Sequence, residues 1–408
     1  MKVLKFGGTS VASPERIARV AQIIAARRQA GESLVVVVSA MGRTTDDLIG
    51  LAHEVSRAPA PREMDMLLTV GERVSMALLS MALSDLGVDA CSLTGSQSGI
   101  ITTGHHRRAK IVEVRPARIR DHLARGQVVI VAGFQGVSED REITTLGRGG
   151  SDTTAVALAA SLGAEGCEIY TDVTGIYSGD PRVVGSTAKR LSAVPSDWMV
   201  EMAHRGAGVL HPRCVELAMA HGVKLRVLSS FLATGPENGT DVVLIPKKES
   251  PPMESFRVLG VACDEDWVGL EVELARAGAA GSIWSAADQA GLSVLSPVFL
   301  GERIAAFVAR DALADWRKCL ERLTHEGFIR RFDIHEDRIP LSLVGERLSD
   351  TGRVLSELAE VLGASEIPVW AGSASALALT VGIRQNRAEE AVQKVHQHFV
   401  EKPEGARP

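Results

Sequence analysis

The side chains that could do chemistry gather in three Gly-rich segments. Lys5-Phe6-Gly7-Gly8-Thr9-Ser10 directly follows an apolar run. Its glycines let backbone approach an anion closely, its N–H groups and the hydroxyls of Thr9 and Ser10 can donate to phosphate oxygens, and Lys5 adds a compact positive charge. In Leu146-Gly147-Arg148-Gly149-Gly150-Ser151-Asp152 an arginine stands between glycines, where its planar fork can meet a carboxylate or a phosphate. Ser151 is expected to cap a helix from Thr153 to Ala164, which delivers a helix N-terminus to this loop. The third segment, Thr171-Asp172-Val173-Thr174-Gly175-Ile176-Tyr177-Ser178-Gly179-Asp180-Pro181-Arg182, lies at the carboxyl end of a predicted strand, where open α/β sheets bind ligands. Each segment alone also fits an ordinary surface turn. Two smaller features join them. Ser39 ends an apolar strand and leads into Ala40 to Thr45. Glu72, beside Gly71 on a helical stretch, is either a buried pole for an ammonium group or a solvated carboxylate. His105-His106 has no carboxylate or cysteine at ligand spacing and reads as a solvated loop, so no protein metal site is expected.

The elements that must position these residues alternate in the α/β manner. Strands are predicted at Val3 to Phe6, Leu34 to Ser39, Val128 to Gly133 and Cys167 to Thr171, each followed by a turn and a helix, the pattern of a three-layer domain with a largely parallel sheet. The first helix is well signalled by Ser13 as N-cap, Pro14 at its first position, Ile17, Val20, Ile23 and Ile24 on one face, and Gly31 past its end. The polar, Pro-rich stretch 245–256 reads as a linker after a first domain, 1–244. Beyond it the chain repeats weakly: Gly281-Ser282-Ile283-Trp284 recurs in character as Gly352-Arg353-Val354-Leu355, each copy a strand-helix-strand-strand-helix unit. The copies are placed at 257–338 and 339–408.

With 408 residues the chain exceeds one growing core, and a formal charge of -5 provides no basic field for nucleic acid. Its apolar runs fall well short of the roughly 20 residues of a membrane helix. The five cysteines are scattered and never form a C-x-x-C pair, which points to reduced thiols; with no signal-peptide pattern at the start, the expected compartment is the cytoplasm.

In order, K-F-G-G-T-S, V-V-S-A-M-G, G-E-R, G-F-Q-G-V, T-L-G-R-G-G-S-D-T-T-A-V-A-L-A, Y-T-D-V-T-G-I-Y-S-G-D-P-R and V-L-H-P-R resemble the aspartate kinase family from residue 1 to about 230, and the repeat after the linker is similar to that family's tandem ACT units. The resemblance implies an α/β amino-acid kinase domain followed by two ferredoxin-like units. It also implies transfer of the γ-phosphoryl of MgATP to the side chain of L-aspartate, giving 4-phospho-L-aspartate for the lysine, threonine and methionine pathway. By the same resemblance Lys5, Phe6, Gly7 and Gly8 meet the ATP phosphates, and Thr171, Asp172, Tyr177, Asp180 and Arg182 hold the nucleotide. Ser39, Thr45, Glu72, Arg148 and Ser151 bind aspartate, with Arg148 on its α-carboxylate and Glu72 on its ammonium group. Asp152 orders the Mg2+ shell or Lys5. A carboxylate nucleophile with a pKa near ~3.9 needs no general base, so catalysis reduces to positioning and charge neutralisation.

The chain departs from the family at Gly208, where many relatives carry a lysine near the nucleotide, and at Ala277 to Gly281, Ser296 to Leu300 and Gly372 to Ala378, which replace polar effector-binding segments. The tail is therefore expected mainly to hold a homodimer or higher oligomer, with a lysine or threonine effector acting weakly. A kinase for a longer carboxylate, glutamate or acetylglutamate, is the nearest alternative, and a non-catalytic amino-acid sensor the next; the paired ACT units and the presence of Lys5 and Arg148 favour aspartate kinase.

Overall fold

The computed structural model describes residues 1–232, 239–244, 257–276, 278–346, 348 and 352–401; the linker expected at 245–256 lies outside them. Two compact units emerge. One comprises Met1–Ile176, Arg190–Val200 and Gly208–Lys247, the other Tyr177–Lys189, Glu201–Ala207 and Lys248–Pro408.

In the first unit an eight-stranded sheet runs in the order Ala193–Pro195, Thr240–Val243, Leu225–Ser229, Cys167–Thr171, Lys2–Phe6, Leu34–Val38, Val128–Ala132, Ala90–Leu93. Its six strands from Leu225–Ser229 to Ala90–Leu93 are mutually parallel. Thr240–Val243 runs antiparallel to its neighbour Leu225–Ser229. Leu34–Val38 and Val128–Ala132 are buried at every residue because helices cover both faces, so their sequences read as unbroken apolar runs rather than alternations. On one face lie the helices Pro14–Gln29 and Val70–Asp85, whose Ile17, Val20, Ile24, Leu79 and Leu83 share a core with Leu4, Val36 and Ile130. On the other, Gly150–Leu162 packs against the sheet and against Pro212–His221. The Ser13 hydroxyl accepts from Arg16 N at 3.4 Å, with Pro14 following, as expected from the sequence. A smaller sheet of Ile111–Val114, Ile100–Thr102, Gln135–Ser138 and Ile143–Thr145 stands beside the main one.

The helical stretch 61–85 is, over 25 residues, long and apolar enough by length and composition to cross a membrane. Its inner face, with Met76, Leu79 and Leu83, is part of the sheet core, and Asp65 and Glu72 are buried along it. That is the pattern of a core helix.

In the second unit two four-stranded antiparallel sheets carry two helices each. One sheet, ordered Val294–Leu300, Arg303–Ala309, Trp267–Leu274, Ile329–His335, holds Ala279–Gln289 and Leu313–His325. The other, ordered Arg257–Cys263, Arg338–Glu346, Ala378–Arg384, Gly372–Ala374, holds Gly352–Ala364 and Ala388–His396. The sequence boundary puts Arg257–Cys263 with the first copy. It pairs instead with Arg338–Glu346, because Val258 and Val261 belong to the core of Leu341, Leu343 and Val381. The first copy is thus inserted between two neighbouring strands of the second. Segment Tyr177–Lys189, expected within 1–244, is held in this unit as well. Ser178 Oγ lies 2.9 Å from His396 Nε2, Gln393 Nε2 donates to the Val183 carbonyl at 2.9 Å, and Val183 and Val184 pack on the same core.

Candidate active site

A cavity of about 290 Å3 opens in the first unit, lined by Lys5, Gly8, Ser39, Ala40, Gly42, Thr45, Glu72, Phe134, Gly147, Arg148, Gly149, Gly150, Ser151 and Asp152. The sheet explains why these residues meet. Lys5 and Ser39 stand at the carboxyl ends of adjacent parallel strands, where the chain leaves the sheet for its helices. Lys5 Nζ lies 2.6 Å from Asp152 Oδ1, both side chains nearly buried. Cys167 and Cys214, outside the cavity lining, are fully buried thiols whose pKa burial pushes up.

Asp152 sits in the first turn of helix Gly150–Leu162, whose start faces the cavity. The helix N-terminus offers unpaired N–H groups and a partial positive charge to an anion. Ser151, expected as the N-cap, lies inside the first turn. The cap is Gly149, in the left-handed conformation with φ 65°. A side chain there would run into the His211 ring, so Gly149 lets the helix begin at this point.

Glu72 forms the opposite kind of pole. It is 3% exposed, its Oε1 accepts from Ala40 N at 3.2 Å, and its Oε2 has no hydrogen-bond partner among the described residues. Burial pushes its pKa up to about 7, against the two backbone N–H groups that oppose the rise. Gly71 permits this approach, since a Cβ on it would fall 2.7 Å from Ala40 Cβ. Arg148 lines the same cavity from an exposed position. One pocket therefore offers a carboxylate short of partners, a guanidinium, an ammonium and a helix N-terminus, the set that an amino acid and a phosphate chain require.

The model of the amino acid kinase family matches residues 1–229. Over 409 residues the chain is 44% identical to the aspartokinase of Mycolicibacterium smegmatis, covering 97% of this chain and 95% of that one. The chain belongs to the amino acid kinase family, among its aspartokinases. This kinase also superposes on E. coli aspartokinase III in complex with aspartate and ADP (R-state), with a TM-score of 0.84, 26% identity and coverage of 98% of this chain and 100% of that one. Against the same E. coli enzyme in complex with lysine and aspartate (T-state) the TM-score is 0.71, at 27% identity, with 98% and 99% covered.

Of the expected site residues in this kinase, the cavity gathers Lys5, Gly8, Ser39, Thr45, Glu72, Arg148, Ser151 and Asp152. Gly7 lies beside Lys5, its missing Cβ 3.4 Å from Nζ. Phe6 is corrected: its ring is fully buried and stacks on Tyr170 with centroids 4.6 Å apart, so it builds the core. Ser10 is corrected too. Its hydroxyl is buried and pairs with Ser230 Oγ at 2.8 Å, leaving no donor for a phosphate. Thr171 ends the strand next to Lys2–Phe6 and Asp172 follows it, but neither lines the cavity, and Thr171 Oγ1 donates to Asp172 Oδ1 at 3.0 Å. Tyr177, Asp180 and Arg182 fall in the segment that belongs to the second unit, where Asp180 caps a short helix and pairs with Arg182 at 2.7 Å. Phe134 lines the cavity as well, although it is not among the residues expected from the sequence. It follows the strand Val128–Ala132 with φ 67°, a conformation a phenylalanine adopts only under constraint and one that no sequence pattern announces.

Proposed function

We propose that this chain transfers the γ-phosphoryl group of MgATP to the side-chain carboxylate of L-aspartate, giving 4-phospho-L-aspartate and ADP. The carrying observation is that Glu72 and Arg148 line the same cavity as Lys5 and the N-terminus of Gly150–Leu162. Arg148 takes the α-carboxylate of aspartate and Glu72 Oε2 its ammonium group, while Ser39, Thr45 and Ser151 supply hydroxyls around them. The β-carboxylate, already ionised, attacks the γ-phosphorus as the bond to the ADP oxygen breaks, so no proton has to move. Lys5, held by Asp152, and the helix N–H groups neutralise the charge spreading over the transferring group.

Among the described residues no group of His, Cys, Asp and Glu could hold a metal by itself. The residues present fit Mg2+ as a companion of the ATP phosphates, with Asp152 the acidic side chain beside Lys5. When bound it would neutralise phosphate oxygens. Binding of aspartate and ADP by the E. coli relative supports this reading.

The second unit is assigned to assembly of a homo-oligomer, with lysine or threonine as an effector of limited strength. In it Arg205 Nη1 donates to Ser296 Oγ and to Thr380 Oγ1, each at 2.6 Å, taking one acceptor site on each hydroxyl. Coupled measurement of ADP release with aspartate, glutamate and acetylglutamate tests the substrate. Aspartate should be preferred, and faster turnover of either longer acid would overturn the choice.

A further inference from the structure

Asp65 is a fully buried carboxylate outside the cavity, on the helix Pro61–Leu68. Its Oδ1 accepts from Thr145 Oγ1 at 2.5 Å and from Arg107 N at 3.0 Å, and Oδ2 accepts from His106 Nδ1 at 2.7 Å. Arg107 takes a left-handed turn, φ 66°, to present its N–H. The His105-His106 loop is therefore no free solvated turn; one of its imidazoles is tied to a buried acid.

These contacts converge on the base of the Arg148 loop. Thr145 ends the strand Ile143–Thr145, three residues before Arg148. The carbonyl of Arg107 lies 3.0 Å from where a Cβ on Gly147 would stand, so the 106–107 turn forms a floor under Gly147. Arg213 closes the same frame. It donates to the carbonyl of Leu146 at 2.9 Å and to that of Ala109 at 3.0 Å, while Ala109 N donates to Thr145 O at 2.9 Å. Both residues flanking Arg148 are left-handed glycines, which supply no stiffness of their own. The loop's position must come from what it rests on.

We propose that Asp65 is a positioning residue for substrate binding: through Thr145 and the 106–107 turn it sets the loop that presents Arg148 to the substrate's α-carboxylate. A carboxylate is needed because three donors from three chain positions point at it. An asparagine offers one acceptor oxygen and turns an NH2 group towards donors. This inference rests on the aspartate reading of the cavity, so its test includes a readout without substrate.

The experiment compares Asp65→Asn, Thr145→Val and Thr145→Ser with the unaltered chain, by steady-state kinetics and by amide hydrogen exchange over 146–149. Asp65→Asn should raise KM for aspartate about tenfold or more by the usual sensitivity of catalysis to misplacement, with KM for ATP changed less than about twofold, and should speed exchange at 146–149. Thr145→Val should do the same more weakly, and Thr145→Ser, which keeps the hydroxyl, should stay near the unaltered chain. Equal rises in both KM values, or unchanged exchange at 146–149, overturn the proposal. If Asp65→Asn does not fold, the Thr145 pair decides: Val and Ser behaving alike overturns it. A chain that fails to use aspartate but shows faster exchange in Asp65→Asn refutes the substrate assignment and leaves the positioning role standing.

Discussion

Replacing Glu72 with glutamine should stabilise the ligand-free protein and weaken its substrate binding at once. Burial raises the Glu72 pKa from 4.5 to about 7. At about 1.36 kcal/mol per pH unit, that difference corresponds to about 3 kcal/mol between the two protonation states. Because the folded pKa lies above the unfolded one, the favourable contribution is complete below pH 4.5 and is lost as pH rises through about 7. At pH 8 the unaltered protein therefore carries a buried negative charge with Oε2 unpartnered. Glu72→Gln removes the charge and can keep the hydrogen bond from Ala40 N. It should gain about 2 kcal/mol at pH 8, raising Tm by about 4 to 8 °C for a unit of this size, and the gain should shrink towards pH 5. Aspartate binding should respond in the opposite direction, because a glutamine cannot balance an ammonium group: KM for aspartate should rise by about tenfold or more, the cost of losing a charge-assisted contact. In the unaltered enzyme aspartate affinity should fall as pH drops below 7, and in the variant that dependence should flatten. Thermal melts and KM values from pH 5.5 to 8.5 measure both halves. A variant that melts at or below the unaltered protein at pH 8 would show that Glu72 is not a buried charge there, and one that keeps its KM for aspartate would show that Glu72 does not hold the ammonium group.

Arg148→Ala should cost about 1.5–3 kcal/mol, the range for a hydrogen bond to a charged group at an exposed position. That is roughly a 10- to 150-fold loss in kcat/KM for aspartate, with ADP affinity by calorimetry unchanged; an equal loss for both ligands would assign Arg148 to the nucleotide. A Cβ added at Gly208 would meet nothing within 4 Å, and the backbone there is not left-handed, so Gly208→Lys should fold normally and lower KM for ATP; a raised KM for ATP would show that the position does not face the nucleotide. Activity assayed with lysine, threonine, methionine and lysine plus threonine should show weak or single-effector inhibition, and potent inhibition at micromolar effector would overturn the assignment of the second unit mainly to assembly.

What the sequence made legible was the part fixed locally. The run Leu34–Val38, the cap at Ser13 and the Gly-rich loops after Lys5 and around Arg148 are short-range signals, and the parallel sheet brings the loops to one edge as the strand-helix alternation implies. Apart from the helix start, placed at Ser151 rather than Gly149, the misreadings concern partners distant in the chain. Ser10 reads as a phosphate donor until Ser230, 220 positions away, is seen on its hydroxyl. Phe6, at the end of its predicted strand, is expected among the phosphate contacts, yet its ring stacks on Tyr170. Arg257–Cys263 falls to the nearer repeat because nothing within it names Arg338–Glu346 as its neighbour. Asp65 carries no signal at all: an aspartate on an amphipathic helix reads as solvated unless its donors at 106, 107 and 145 are known to converge on it.

The phosphoryl acceptor can be identified directly, because hydroxylamine traps the acyl phosphate. Incubation of the folded protein with MgATP, L-aspartate and hydroxylamine should yield aspartate hydroxamate in proportion to ADP released, and Lys5→Met should abolish both. ADP release without hydroxamate, or no signal with aspartate at saturating MgATP, would contradict the account.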